Sequence, residues 1–366
     1  MSRTGRDPVY LDYNASAPLR PEAMSAYWEG AAIVGNPSSV HVFGRRSRAA
    51  LERARRVIAR AVGGPSAGTI LTSGATEANG LALAQAGGGP ILTSAIEHPS
   101  VLDARDALRL GCNGDGLVDP DDLAVAMERY HPALVSVMLA NNEIGTVQPM
   151  EALAAIVHEY DALLHVDAVQ ALGRMDVDMS GLGADMLSIS AHKIGGPKGV
   201  GALVVRDGLD IAPNMRGGGQ EQRRRSGTEH VAGAMGFAAA LDAIDSRERE
   251  RIRQLRDALE NALAGEAVIV ARQAPRIPNT SAIAMPGVTS AIQVMSLDLD
   301  GVAVSSGSAC SSGKVSRSHV LEAMGVDEAI ISSTIRVSLG WDTSDRDIEC
   351  FIEAWRRVRN RCGSGG

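Results

Sequence analysis

Met186-Leu187-Ser188-Ile189-Ser190, followed by Ala191-His192-Lys193-Ile194-Gly195-Gly196-Pro197-Lys198-Gly199, is the stretch on which the reading of this chain turns. An apolar run of strand length ends at glycines and a proline, so a buried strand stops there and Lys193 stands just past its carboxyl end. Gly195, Gly196 and Gly199 let backbone approach a ligand closely. The neighbours of Lys193 are small or apolar, and a desolvated amine is the better nucleophile at neutral pH. Lysine is also scarce: Lys193, Lys198 and Lys314 are the only three, and arginine supplies the other basic residues. A GC-rich gene gives the same bias, so scarcity assigns no function. It does limit to three the side chains able to attack a carbonyl as an amine and form a Schiff base, which arginine cannot do.

Working outward, short apolar runs at 69–73, 90–94, 133–139, 163–167, 186–190 and 200–205 alternate with helical patterns. One of these helices, at 151–160, repeats Leu153, Ile156, Val157 and Tyr160 at helical spacing. The alternation predicts an α/β protein with a largely parallel sheet covered on both faces, and ligands in such sheets sit at the carboxyl ends of strands. A charged helix at 245–264 reads as a bridge to a smaller α+β domain. There, strands are expected at 280–285, 302–305 and 334–339, and helices at 291–297 and from Ser344, with Asp347 as its capping-box partner. The expected boundaries are 15–248 for the large domain and 249–366 for the small one, with residues 1–14 packed on the latter.

With 366 residues, 45% of them hydrophobic, the chain is long enough for a substantial core. A net charge of -7 argues against nucleic acid, because nothing neutralises phosphates broadly. Arg223-Arg224-Arg225 reads as a solvated loop. No apolar run approaches the length of a membrane span, and the polar start lacks the apolar core of a signal peptide, so the cytoplasm is the expected location. Cys112, Cys310, Cys350 and Cys362 form no C-x-x-C pair, so neither a metal site nor a disulfide framework is expected.

Two more segments end strands. In Thr72-Ser73-Gly74-Ala75-Thr76-Glu77 a strand runs into a glycine turn and a helix opens, where free N–H groups favour a phosphate. Alone, a hydroxyl at a helix start is an ordinary cap. In His165-Val166-Asp167-Ala168-Val169-Gln170, Asp167 ends an apolar strand, where a carboxylate needs a partner such as a protonated pyridine nitrogen. Alone, it too reads as a helix cap. Together with Lys193, the segments supply a phosphate cradle, a carboxylate and an amine, which is the binding set for pyridoxal phosphate. Gly313-Lys314 is not a nucleotide P-loop, because Gly307 is one position too far and Val315 replaces the required hydroxyl residue.

From Tyr10-Leu11-Asp12-Tyr13-Asn14 onward, an ordered series of motifs resembles the NifS/IscS type of cysteine desulfurase, in the class V aminotransferase group of fold-type I pyridoxal-phosphate enzymes. The series includes Gly35-Asn36-Pro37-Ser38-Ser39 with His41, residues 72–77, Glu97-His98, Asn141-Asn142-Glu143-Ile144-Gly145, 165–170, 190–199, Arg225-Ser226-Gly227-Thr228-Glu229, 305–312 and Ile335-Arg336-Val337-Ser338-Leu339-Gly340. Gly195 stands where that family commonly has tyrosine, and Pro99 where it frequently has lysine.

The resemblance implies roles. Lys193 would hold the cofactor, His98 would stack on its ring and help move protons, and Asp167 would pair with the ring nitrogen. Gln170 and Asn142 would lie by the ring oxygen. Ala75, Thr76, Ser190 and His192 would bind the phosphate, with Thr228 reaching the phosphate of the neighbouring subunit in a homodimer. Arg336, together with Asn142, would bind the substrate carboxylate. Cys310, in a small polar stretch, would take sulfur from L-cysteine as a persulfide, leaving alanine, and pass it to an acceptor protein such as an iron–sulfur scaffold. The thiolate is needed because it is the nucleophile. A selenocysteine lyase, an aminotransferase and a non-catalytic sulfur carrier are the alternatives.

Overall fold

The computed structural model describes residues 8–307 and 317–363. Cys310 and Lys314 therefore lie outside the described residues. The strands, in chain order, are β1 (Val9–Tyr10), β2 (Thr69–Thr72), β3 (Ile91–Ser94), β4 (Leu108–Leu110), β5 (Leu134–Met138), β6 (Leu163–Asp167) and β7 (Met186–Ser190). They continue as β8 (Gly201–Val205), β9 (Val268–Ile269), β10 (Thr280–Ala284), β11 (Val302–Ala303), β12 (Ser305–Ser306) and β13 (Thr334–Ser338).

Seven of them form one sheet in the order β2-β8-β7-β6-β5-β3-β4. The pairs from β7 across to β4 are parallel, and β8 runs antiparallel to both its neighbours. This is the α/β class that the strand–helix alternation requires. Strands β5 and β7 are buried at every position, as strands covered on both faces must be. The period-2 alternation of side chains divides the core. Leu187 and Ile189 join Val135, Val137, Val166 and Phe237 on one face, while Met186 joins Ile70, Leu134 and Leu203 on the other.

A second sheet, β12-β13-β10-β9, is antiparallel throughout. Its core contains Leu255, Leu259, Ile335, Val337, Phe351 and Trp355. The helix Asp345–Gly363 supplies the last of these, and its start is fixed as expected: Ser344 N–H donates to Asp347 Oδ2 at 2.8 Å and Asp347 N–H to Ser344 Oγ at 3.4 Å. Strand β1 pairs in parallel with β11, tying the first residues of the chain to this second unit. No helix among the described residues is long and apolar enough to cross a membrane.

Two expectations need correction, and one strand of the large sheet lies outside those expected. The single strand expected at 302–305 breaks at Val304, because Val302–Ala303 bonds to β1 whereas Ser305–Ser306 bonds to β13. Strand β4 carries no sequence signal, since as a short edge strand it leaves Leu108 and Arg109 exposed. Arg225 does not belong to a solvated loop: its Nε donates to Glu77 Oε1 at 2.7 Å. The same segment is clamped by a buried two-pronged pair, in which Arg55 Nη1 and Nη2 lie 2.5 and 2.9 Å from the two Glu221 oxygens. Glu221, Gln222 and Arg223 all have positive φ, a conformation costing about 1–2 kcal/mol per residue. The desolvated Arg55–Glu221 pair fixes that backbone, since removing one partner of such a pair costs about 3–5 kcal/mol.

Candidate active site

The parallel strands deliver their carboxyl ends to one side of the large sheet, and a cavity of about 510 Å³ opens there. Lys193 lies in the turn after β7, Asp167 is the last residue of β6, and Gln170 follows it; all three line the cavity. From the far side, Ala75 and Thr76 reach it at the start of helix Ala75–Leu83, and His98 from the loop after β3. Asn142, Ser190 and His192 complete the expected residues that meet there. Strand β8 sets the spacing of the cradle, because Gly201 pairs with Thr72 on one side and Ser190 on the other. Only glycine fits: a Cβ at 201 would lie 2.7 Å from the Ile189 carbonyl oxygen and 2.9 Å from Gly74 Cα.

The two ends of the cavity differ in chemistry. At one end, the first-turn N–H groups of the helix lack intrahelical partners, and the Thr76 hydroxyl and Lys198 are beside them. Ser190 Oγ is buried with no hydrogen-bond partner among the described residues. Such an atom costs about 1–3 kcal/mol unless something fills the gap. Burial, then the charges of Lys193 and Lys198, push His192 down to about 4, so it stands neutral at pH 7. At the other end is Asp167. Its Oδ2 accepts from Asn79 Nδ2 at 2.8 Å and its Oδ1 from Val169 N–H at 3.0 Å. The second bond is the cap-like contact that the sequence suggests on its own; the first leaves the carboxylate aimed at the cavity. Donors gathered at one end and a carboxylate at the other fit an anionic group joined to a cationic ring, as in pyridoxal phosphate.

Between the ends, Lys193 Nζ donates to the carbonyl oxygens of Asn14 (2.5 Å) and Ala15 (3.0 Å). Burial holds His98 below the ordinary imidazole range, against the pull of Asp167. Its Nδ1 meets Ser100 Oγ at 2.8 Å. Asn142 Oδ1 is a second buried atom without a partner among the described residues. Arg336 lies behind Asn142 rather than on the cavity wall, with Nη1 3.1 Å from the Asn142 carbonyl oxygen and Nη2 2.7 Å from Asp12 Oδ1. Its Nε is buried with no partner among the described residues. Thr228 is exposed and does not line the cavity of its own chain.

Sequence reasoning missed Asn79, Asn14 and Arg174. Asn79, one turn beyond the cradle in helix Ala75–Leu83, proves fully buried, which the sequence alone does not show. It also missed two buried acids. Burial pushes Glu97 up to about 8 and Glu143 up to about 7.

The fold and this arrangement define a class of protein, and the comparisons agree on it. A family model described as Aminotransferase class-V matches residues 9–351, and the chain belongs to that family. The cysteine desulfurase IscS of Dictyoglomus turgidum is 41% identical over 373 residues, covering 96% of this chain and 94% of that protein. The IscS-like cysteine desulfurase of Mycobacterium tuberculosis is 37% identical, with 94% of each chain covered. Among solved structures, the NifS-like protein from Rickettsia africae superposes with a TM-score of 0.88 at 35% identity, covering 96% of this chain and 99% of that one. SspA, solved in complex with cysteine, gives 0.80 at 29% identity, with 90% and 98% covered.

Proposed function

We propose that this chain is a pyridoxal-phosphate-dependent cysteine desulfurase, converting L-cysteine to alanine and carrying the sulfur as a persulfide on Cys310. The observation that carries the reading is one cavity lined together by Asp167 at the end of β6, the Ser190 hydroxyl at the end of the adjacent parallel β7 with no partner among the described residues, Lys193 in the turn that follows, and the start of helix Ala75–Leu83. The cofactor, when bound, supplies an aldehyde for amines and a pyridinium ring that stores electrons released at Cα.

The protein's own groups do the rest. Lys193 would hold the cofactor through its amine, and the same Nζ would take the proton at the substrate's Cα. Asp167 keeps a proton on the ring nitrogen by charge pairing, with Asn79 orienting it. Ala75, Thr76, Ser190 and His192 bind the phosphate, helped by Thr228 of a second copy. Gln170 and Asn142 hydrogen-bond the ring oxygen. His98, which burial holds below the ordinary imidazole range, would stack on the ring and relay a proton. Arg336, with Asn142, would take the substrate carboxylate, and its Nε, buried with no partner among the described residues, supports that role. The Cys310 thiolate forms the new S–S bond as the substrate's C–S bond breaks, and the bonding pair returns to the carbon fragment, which gains protons to become alanine. An acceptor protein, such as an iron–sulfur scaffold, then receives the sulfur.

The domain division at 15–248 and 249–366, with the first residues on the smaller unit, is supported by the two separate cores and the β1–β11 pairing. Cytoplasmic location belongs to the same reading.

The test supplies L-cysteine and a thiol to the cofactor-loaded protein and follows both products. Equal release of alanine and sulfide is expected. Amino transfer to an added keto acid without sulfide would replace the reading with an aminotransferase.

A further inference from the structure

Arg174 lies one turn beyond Gln170 and is only 9% exposed. Its Nη1 donates to the Gln170 carbonyl oxygen at 3.1 Å and to Gln170 Oε1. Its Nη2 donates to the carbonyl oxygens of Tyr13 and Lys193, each at 3.4 Å. Among the described residues it makes no salt bridge, so this is a buried cation held by neutral oxygens alone. Burial, with Arg336 adding to it, pulls the guanidinium down to about 9, which leaves it charged at neutral pH.

A guanidinium only donates, so an amide beside it must turn its oxygen toward it. With Oε1 committed to Arg174, Gln170 Nε2 is left on the other side. One of its hydrogens goes to the Asn14 carbonyl oxygen at 3.1 Å, the same atom that accepts from Lys193 Nζ. The amide's second hydrogen remains for the cavity that Gln170 lines. Without Arg174 the amide could turn over and present a lone pair instead.

We propose that Arg174 is a positioning residue: it fixes the Gln170 amide so that an N–H, and not the carbonyl oxygen, meets the cofactor's ring oxygen. This rests on the cofactor reading above. A donor at that oxygen favours its ionised form, so it lowers the pH at which the bound cofactor's visible absorbance changes.

The experiment is a pH titration of that absorbance in the cofactor-loaded protein and in Arg174→Gln, Gln170→Leu and the double variant. Arg174→Gln should raise the midpoint by about one pH unit, a tenfold shift in the equilibrium. In the Gln170→Leu background the same change should add little, because residues acting as one unit are not additive. An unmoved midpoint overturns the proposal. So does full additivity, which would mean that Arg174 acts by its charge and not through Gln170. If Arg174→Gln does not fold, Arg174→Lys serves, since it keeps the charge and loses the planar guanidinium that spans Gln170, Tyr13 and Lys193: a smaller upward shift supports the proposal and none overturns it. Wild-type protein that gains no visible absorbance with pyridoxal phosphate overturns the cofactor reading and this inference together. Coloured wild type with unshifted variants overturns the inference alone.

Discussion

Ser190 shows what a single residue contributes here. Its hydroxyl is buried without a partner among the described residues, which makes sense if a ligand oxygen completes it. Ser190→Ala should therefore weaken pyridoxal phosphate at least about tenfold, since a hydrogen bond to a charged group contributes about 1.5–3 kcal/mol, in a spectroscopic titration. Unchanged affinity would remove Ser190 from the phosphate site. Asp167, Ser190 and Lys193 are legible in the sequence because the first two end strands and Lys193 lies in the turn just past one, and chain order alone tells which end of the sheet they occupy. Asn79 and Arg174 are not legible, because their importance depends on contacts with Asp167 and Gln170 that only the packed structure reveals. Thr228 is legible only through the family's motif; nothing in its own environment marks it.

At the scale of elements, the parallel strands are readable because buried strands are continuous apolar runs, and the ends of β6 and β7 coincide with the expected ones. The break at Val304 is not, since choosing between two sheets is a tertiary decision that local propensity does not encode. That region matters because it leads to Cys310. On one side of the undescribed stretch, Gly307 packs so closely that a Cβ would lie 2.8 Å from Glu143 Oε2. On the other, Ser318 Oγ donates to the same oxygen at 2.5 Å and accepts from Leu321 N–H at 3.1 Å. One buried carboxyl thus holds Ser318 on one flank of the segment and lies close against Gly307 on the other. Ser318→Ala removes a helix cap and strands that carboxyl, so it should destabilise the protein by roughly 1–3 kcal/mol in denaturant unfolding. A cost near zero would show that Glu143 finds another partner.

For the whole molecule, buried titratable groups set the pH dependence of stability. Burial lowers His165 and His192 to about 4, so stability rises with pH up to the ordinary imidazole value of 6.5 as the unfolded chain gives up its extra protons. Burial raises Glu97 to about 8 and Glu143 to about 7, so the folded state holds their protons longer and stability falls as pH climbs from 4.5 through those values. Above pH 6.5 only the second effect remains among these four groups. The melting temperature should decline from pH 6.5 to 8, and Glu97→Gln should flatten that slope; an equal slope in the variant would refute the assignment.

Exposed Trp28 meets Tyr27 edge-on, and Tyr27 meets His230, two residues from exposed Thr228. An apolar surface beside that residue suits a second copy of the chain. Mixed dimers of Lys193→Ala with Thr228→Ala should regain one full-affinity cofactor site, since the Thr228→Ala chain keeps its lysine and borrows the missing threonine. No recovery would place Thr228 in its own chain's site or in none. The central claim, that this fold moves sulfur from cysteine to Cys310, is tested most directly by peptide mass spectrometry after mixing the cofactor-loaded protein with L-cysteine. One added sulfur atom on Cys310, formed together with alanine and absent in Cys310→Ser, is the result the account predicts. Alanine formed with Cys310 unmodified, or equally by Cys310→Ser, would contradict it.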